Sequence, residues 1–158
     1  MMKKILLILF CLPLIGFAQN VYIPDANFKA YLVGNTLINT NGDTEIQLSE
    51  AASFNGEINC YNMNIFDLTG IEYFTALTEL ICYDNQLTSL DVSQNIALTI
   101  LNCSGSQLGS LNVSNNIALL ELSCDGCNLS ILDVTSNINL IGLGCESNIL
   151  TSLDLVNN

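Results

Sequence analysis

Four cysteines stand 21 residues apart, at Cys82, Cys103, Cys124 and Cys145, and with Cys60 and Cys127 they are the most chemically versatile side chains after the first 18 residues. Thiols can bridge, ligate soft metals or attack as thiolates, and an even count in an exported chain first suggests disulfides. The spacing points elsewhere. Five of the six recur at one place in a repeat, beside leucines, where a small apolar side chain is wanted. Neighbouring parallel strands lie roughly 4.8 Å apart with in-register side chains pointing the same way, a poor geometry for bridging. Buried free thiols are therefore expected. Carboxylates are the other candidate reagents, and Glu79 with Glu121 could in principle act as acid and base on a glycan. The chain has no histidine, which removes the commonest general base and with it any Ser–His or Cys–His nucleophile. A strand face also lacks the water-excluding pocket that would shift a carboxyl group, so an enzyme is not expected.

An oxygen-rich segment runs from Asn39 to Glu50, reading NTNGDTEIQLSE. Its register is similar to that of an EF-hand calcium loop, with oxygen-bearing residues at the first, third, fifth, ninth and twelfth positions. By that resemblance the ligands are Asn39, Asn41, Asp43 and Glu50, with Glu45 offering its carbonyl and Gln47 acting directly or through water. Asn39 stands where Asp is usual, and Thr44 replaces the glycine of the sharp turn. Two readings follow: a weak calcium site of about 0.1 to 1 mM, or a cap that keeps the loop and dispenses with the ion. No cofactor is required by either.

What positions these residues is an internal repeat. Aligned on the cysteines, the copies begin at Leu77, Leu98, Leu119 and Leu140, the last incomplete, and a divergent copy one residue longer surrounds Cys60. Each reads L-x-x-L-x-C-x-x-(N/S/C)-x-L-x-x-L, as in Leu77, Leu80, Cys82, Asn85, Leu87 and Leu90. Period-two alternation around Leu80 and Cys82 suits a short strand, and the wider spacing afterwards suits an arched return. Asn85, Ser106, Cys127 and Asn148 share one position, where a polar side chain can satisfy backbone groups exposed as the strand turns. Asn95, Asn116 and Asn137 share another, at the next bend, where Asn is favoured for its tolerance of left-handed angles. Ile71, Phe74 and Leu77 fall three apart and suit a short helical turn on the outer side of the first rung.

This pattern resembles the leucine-rich repeat, with Cys in place of the third leucine, from Ile58 to Asn158. The first rung resembles the 22-residue units of internalin-type repeats, and the later ones the LDVSxN variety of secreted bacterial surface proteins. The resemblance implies a right-handed solenoid with a parallel sheet on its concave face and an irregular or 3-10 convex side. One rung cannot bury enough apolar surface to stand alone, so stacking supplies the stability and the ends need caps.

Three regions follow. Residues 1–18 carry Lys3, Lys4, an apolar run from Ile5 to Phe17 and a small-residue exit at Gly16 and Ala18, the layout of a secretory signal peptide. The run is too short for a membrane span. Residues 19–55 form a cap, with a helix expected from Asp25 to Val33 that buries Phe28, Tyr31 and Leu32 and ends at Gly34-Asn35. Residues 56–158 are the rungs. Without the leader, Lys29 is the single base against all 15 acids. Such a polyanion repels phosphate backbones and acidic membranes, so neither is an expected partner.

Residues between the buried leucines and cysteines face the concave side. The columns are Glu57, Glu79, Ile100, Glu121, Gly142; Asn59, Ile81, Asn102, Ser123, Gly144; and Tyr61, Tyr83, Ser104, Asp125, Glu146. Tyr61, Tyr83, Ile81 and Glu79 are the expected contact patch, with Asn102, Glu121 and Asp125 beside it. The expected function is an exported module binding a protein or glycan at the cell surface; a spacer in a longer surface protein is the other reading. The last rung carries no polar closing segment, from which further rungs in a longer product, or self-association at that end, are expected.

Overall fold

The computed structural model describes residues 19–156, so the expected signal peptide over 1–18 lies outside the described residues. After it come helix α1 (Ala26–Gly34), helix α2 (Leu48–Ser53) and strands β1 (Glu57–Asn59), β2 (Glu79–Ile81), β3 (Ile100–Asn102), β4 (Glu121–Ser123) and β5 (Gly142–Gly144), with a 3-10 turn at Ile71–Tyr73 between β1 and β2. The strands pair in parallel, in chain order, as one sheet. Each return path therefore brings the chain back one strand further along. This is the solenoid that the repeat predicts.

Every rung contributes the same side chains to one continuous core. Ile58, Leu80, Leu101 and Leu122 are buried from the strands, and Cys60, Cys82, Cys103 and Cys124 follow them with no exposed surface. Leu87, Leu108 and Leu129 close the turn, and Val92, Val113 and Val134 anchor the return arm. The final rung is half-buried at Leu140, Leu143, Cys145, Leu150 and Leu153, because no further rung covers it here.

The chain leaves each strand through one left-handed residue. Asn62, Asp84, Gly105, Gly126 and Ser147 occupy equivalent places and all have positive φ. Glycine removes the Cβ clash at two of them, and Asn and Asp tolerate the angle best among the rest. At Gly105 an added Cβ would also stand 2.5 Å from Asp84 Oδ1, so this close stacking needs a bare backbone.

Two side-chain ladders complete the backbone hydrogen bonding. Asn85 Oδ1 accepts the N–H groups of Met63 and Ile65 at 3.1 and 3.0 Å, while its amide donates to the carbonyls of Cys60 and Cys82. Asn148 repeats the arrangement two rungs after Ser106. The second ladder differs from expectation. Asn95, Asn116 and Asn137 do not adopt positive φ; they are wholly buried, and each amide donates to two carbonyls of the preceding rung. The reason is burial: carbonyls facing inward at a bend must find a donor, and water is excluded. Left-handed geometry was available elsewhere, immediately after the strand.

The cap is fastened to the first rung by specific bonds. Asp25 caps α1, one oxygen accepting the N–H groups of Asn27 and Phe28 at 2.9 Å, and its other oxygen takes Phe66 N–H at 2.8 Å from the first return arm. Phe28 and Leu32 are buried. Tyr31 is only half-buried, since its hydroxyl accepts Asn59 N–H at 2.8 Å on the outer edge of β1. That bond satisfies an edge group which would otherwise be open for pairing.

Candidate interaction surface on the open sheet face

The register places the expected columns side by side. Glu57 pairs with Glu79, Glu79 with Ile100, Ile100 with Glu121, and Asn59, Ile81, Asn102 and Ser123 follow in the next column. Inward residues such as Leu80 are buried, so alternation leaves these flanking side chains on the open face. The third column lies just past the strands. It stays in register because Asn62, Asp84, Gly105 and Gly126 donate their N–H groups to Tyr83, Ser104, Asp125 and Glu146 carbonyls at 2.8 to 3.0 Å.

Tyr61 and Tyr83 stack, with ring centroids 4.9 Å apart and an interplanar angle of 10°. Parallel-strand spacing produces this contact directly, because equivalent residues on adjacent strands lie about 4.8 Å apart, a separation that two offset-stacked rings span. Stacking fixes both rings. Tyr61 is exposed and Tyr83 half-exposed, with half-exposed Ile81 beside Tyr83 and half-exposed Ile100 on the next strand. Glu79 and Glu121 bracket Ile100, and neither carboxylate makes a hydrogen bond or ion pair within the described residues.

Elsewhere on this face Glu57 and Asp125 are engaged, while the Glu146 carboxylate, on the last rung, makes no bond within the described residues. Glu57 accepts the Asn59 amide at 2.6 Å. Asp125 accepts Glu146 N–H at 2.7 Å, and Gly144 lies so close that an added Cβ would stand 2.8 Å from its carboxylate. Asn102 Oδ1 accepts Ser104 N–H at 3.1 Å. These three therefore serve local structure, whereas Glu79 and Glu121 remain free to meet solvent or another molecule. Carboxylates also gather along the return arms, in an open depression of about 320 Å3 lined by Asp67, Glu72 and Asp91. Asp67 and Asp91 there accept the N–H groups of Thr69 and Ser93, holding turns rather than facing a reactant.

In the cap, Asn39, Asn41, Asp43, Gln47 and Glu50 converge, but on one another. Glu50 Oε1 accepts Thr40 N–H, Thr40 Oγ1–H and Asn41 N–H, and Oε2 accepts Gln47 N–H. Burial pushes this carboxyl up, and the bonds from Gln47, Thr40 and Asn41 together outweigh it, leaving it below its usual range. The Asn39 amide donates to the Val33 and Asp43 carbonyls, the Asn41 amide to Asp43 Oδ2 and Gln47 Oε1, and the Gln47 amide to Asp43 Oδ2. Glu45 points its carboxylate away, to Lys29 Nζ at 2.7 Å. Amide donors thus occupy the oxygens a cation would draw. Among the described residues no three thiol, imidazole or carboxylate groups form a metal-holding set. The bond from Glu50 to Gln47 N–H also starts α2, an element the sequence reading did not foresee; Gln47 three residues before Glu50 was its signal.

All six thiols of the described residues are free, and five are buried. Burial pushes Cys60 and Cys124 up to about 12, and Cys82 well above its ordinary value. Cys127 stands apart. The adjacent Cys103 thiol holds it down, to about 7, burial opposes this, and the N–H groups of Ser106 and Gly105 assist; the same contact, with burial, raises Cys103.

No protein-family model matches the chain. Internalin J of Listeria monocytogenes is 40% identical over 77 residues, which are 48% of this chain and 8% of that protein. A solved functional domain of internalin J, described as including a cysteine ladder, superposes with a TM-score of 0.78 at 35% identity, over 89% of this chain and 32% of the other. Internalin C2 of the same species shares the fold, with a TM-score of 0.76 at 18% identity over 86% and 62%. The present chain therefore spans under a tenth of the curated relative's length. With a 21-residue cysteine-marked repeat and a parallel five-stranded sheet, the chain folds as a leucine-rich-repeat solenoid similar to those of the internalins.

Proposed function

We propose that this chain is an exported binding module that recognises a protein or glycan at or beyond the cell surface through the open face of its sheet. One observation carries the reading: the ordered Tyr61–Tyr83 stack beside Ile81, flanked by Glu79 and Glu121 with no partner of their own. Rigid aromatics that lose little freedom on contact, set beside polar groups, are what interaction surfaces use. Export rests on Lys3, Lys4 and the apolar run that follows. No helix of the described residues is long and apolar enough to cross a membrane.

The reading is non-enzymatic because the free carboxylates lie on an open face that forms no water-excluding pocket around a reactant. A glycan array together with a pull-down by the intact gene product identifies the partner, and the double change Glu79→Ala, Tyr83→Ala is then expected to weaken its capture at least tenfold, about 1.4 kcal/mol. Undiminished capture by that variant removes the reading, and turnover of a glycoside abolished by Glu79→Gln replaces it with catalysis.

A further inference from the structure

The open face has the layout of a small interface whose charge is all of one sign. At its centre are Tyr61, Tyr83, Ile81 and Ile100, and around them stand Glu57, Glu79 and Glu121. The single base of the described residues, Lys29, is held by Glu45 in the cap, at 2.7 Å, and neutralises none of them. An apolar centre with a charged rim is the anatomy of a protein contact surface. Glu79 and Glu121 are two strands apart, so roughly 10 Å separates their positions at about 4.8 Å per strand. Ile100 lies between them in the same column.

We infer that the partner is a protein presenting an extended cationic segment, in which an apolar side chain is flanked by Lys or Arg, laid across β1 to β4. This rests on the reading of the face as a binding surface and goes beyond it by fixing the partner's chemistry. In an extended chain residues i, i+2 and i+4 face one way, with i and i+4 about 13 Å apart, so two basic residues at that spacing, their long side chains converging, reach Glu79 and Glu121 while the side chain at i+2 meets Ile100 and Ile81. A third base meets the Tyr61–Tyr83 rings, whose faces attract cations. Lone acids on an open surface cost nothing to leave hydrated, and they repel an acidic partner and favour a basic one chiefly through encounter rate and selectivity. Sugar hydroxyls can donate to these carboxylates, but a neutral glycan leaves both charges uncompensated, whereas a basic segment neutralises them.

The test uses the whole mature chain and three sets of nonapeptides with a central Leu or Tyr, flanked by Arg and Lys, by Gln, or by Glu, with chitohexaose as the glycan probe. Basic peptides are expected to bind more than tenfold more tightly than Gln peptides, and Glu peptides not at all. Raising salt from 50 to 500 mM, which shortens the screening length to about 4 Å, should weaken basic-peptide binding several-fold. Glu79→Gln with Glu121→Gln should weaken it about five- to tenfold, with the circular dichroism spectrum and unfolding midpoint unchanged. Equal binding of basic and Gln peptides, or of chitohexaose in their place, overturns the cationic partner while leaving the surface as a binding face if Tyr83→Ala abolishes it. Basic-peptide binding that survives both glutamate changes and Tyr83→Ala removes both readings, as does failure of every probe to bind.

Discussion

Asn148 Oδ1 accepts the backbone N–H of Cys127 at 3.0 Å and that of Leu129 at 2.9 Å. Cys127 holds the equivalent place one rung earlier, and its thiol, when protonated, donates to the Cys103 carbonyl at 3.2 Å and the Asp125 carbonyl at 3.7 Å, leaving no amide oxygen to take the N–H groups of the rung before. One rung earlier still, Ser106 is too short: its hydroxyl is buried without a partner. The ladder that Asn85 and Asn148 complete is therefore interrupted at two rungs in the middle of the solenoid.

Restoring it should stabilise the protein. Ser106→Asn and Cys127→Asn are each expected to add about 1 kcal/mol, since each supplies hydrogen bonds to buried backbone groups at roughly 0.5 to 1.5 kcal/mol apiece, offset by the space the larger amide must find. Urea unfolding midpoints of the two variants decide it. A drop in both would mean that the rungs have closed around the smaller side chains.

The cap loop holds itself together through Glu50. Glu50→Gln replaces an acceptor of four bonds by a group that must turn a donor toward some of them, and a loss of about 2 to 3 kcal/mol is expected from removal of charged hydrogen bonds in a buried setting. The wild-type carboxyl lies below its usual range when folded. Its contribution is therefore complete above the unfolded pKa and disappears as pH falls through the folded one, so the acid loss of stability should flatten in the variant. Because amide donors already satisfy the loop's oxygens, millimolar calcium is expected to leave the melting temperature unmoved; a rise of several degrees would mean that the ion displaces those bonds.

Thiol ionisation should give the stability curve two slopes. Cys127 is held down to about 7 when folded, so between that value and its ordinary one near 9 the unfolded state binds more protons and stability rises with pH. Cys60 and Cys124, pushed up to about 12, with Cys82 above its ordinary value as well, act in the opposite sense. Their stability is whole below about 9 and is lost as pH climbs toward 12. Denaturation at pH 6, 8, 9.5 and 11 should trace a maximum near 8 to 9, and Cys127→Asn should remove the rising limb and, by taking away the contact that raises Cys103, soften the fall above 9. A flat profile from 6 to 8 in wild type would mean that Cys127 keeps its proton.

Much of this was legible from the chain because a repeat states each position several times over. The cysteine spacing located the strands, and alternation about Leu80 and Cys82 named the open face, so Glu79, Ile81 and Tyr83 were found beside one another without coordinates. Helix α2 was hidden, since six residues without an apolar period carry little local signal beyond one backbone-directed glutamate. The role of Asn95, Asn116 and Asn137 was half visible: their recurrence was plain, but burial converted them from turn formers into donors for inward carbonyls.

Sequence alone determined the period, the core and the order of the strands, because those follow from which side chains avoid water at which spacing. Only the folded chain decided which polar groups are spent and which are left over. Stacking brings Asp125 to the Glu146 N–H one rung on and Asp25 to the Phe66 N–H across the cap, while Asn102 and the loop from Asn39 to Glu50 are spent on bonds within their own segments. Glu79 and Glu121 are not, and that difference depends on distances between rungs that no single repeat contains.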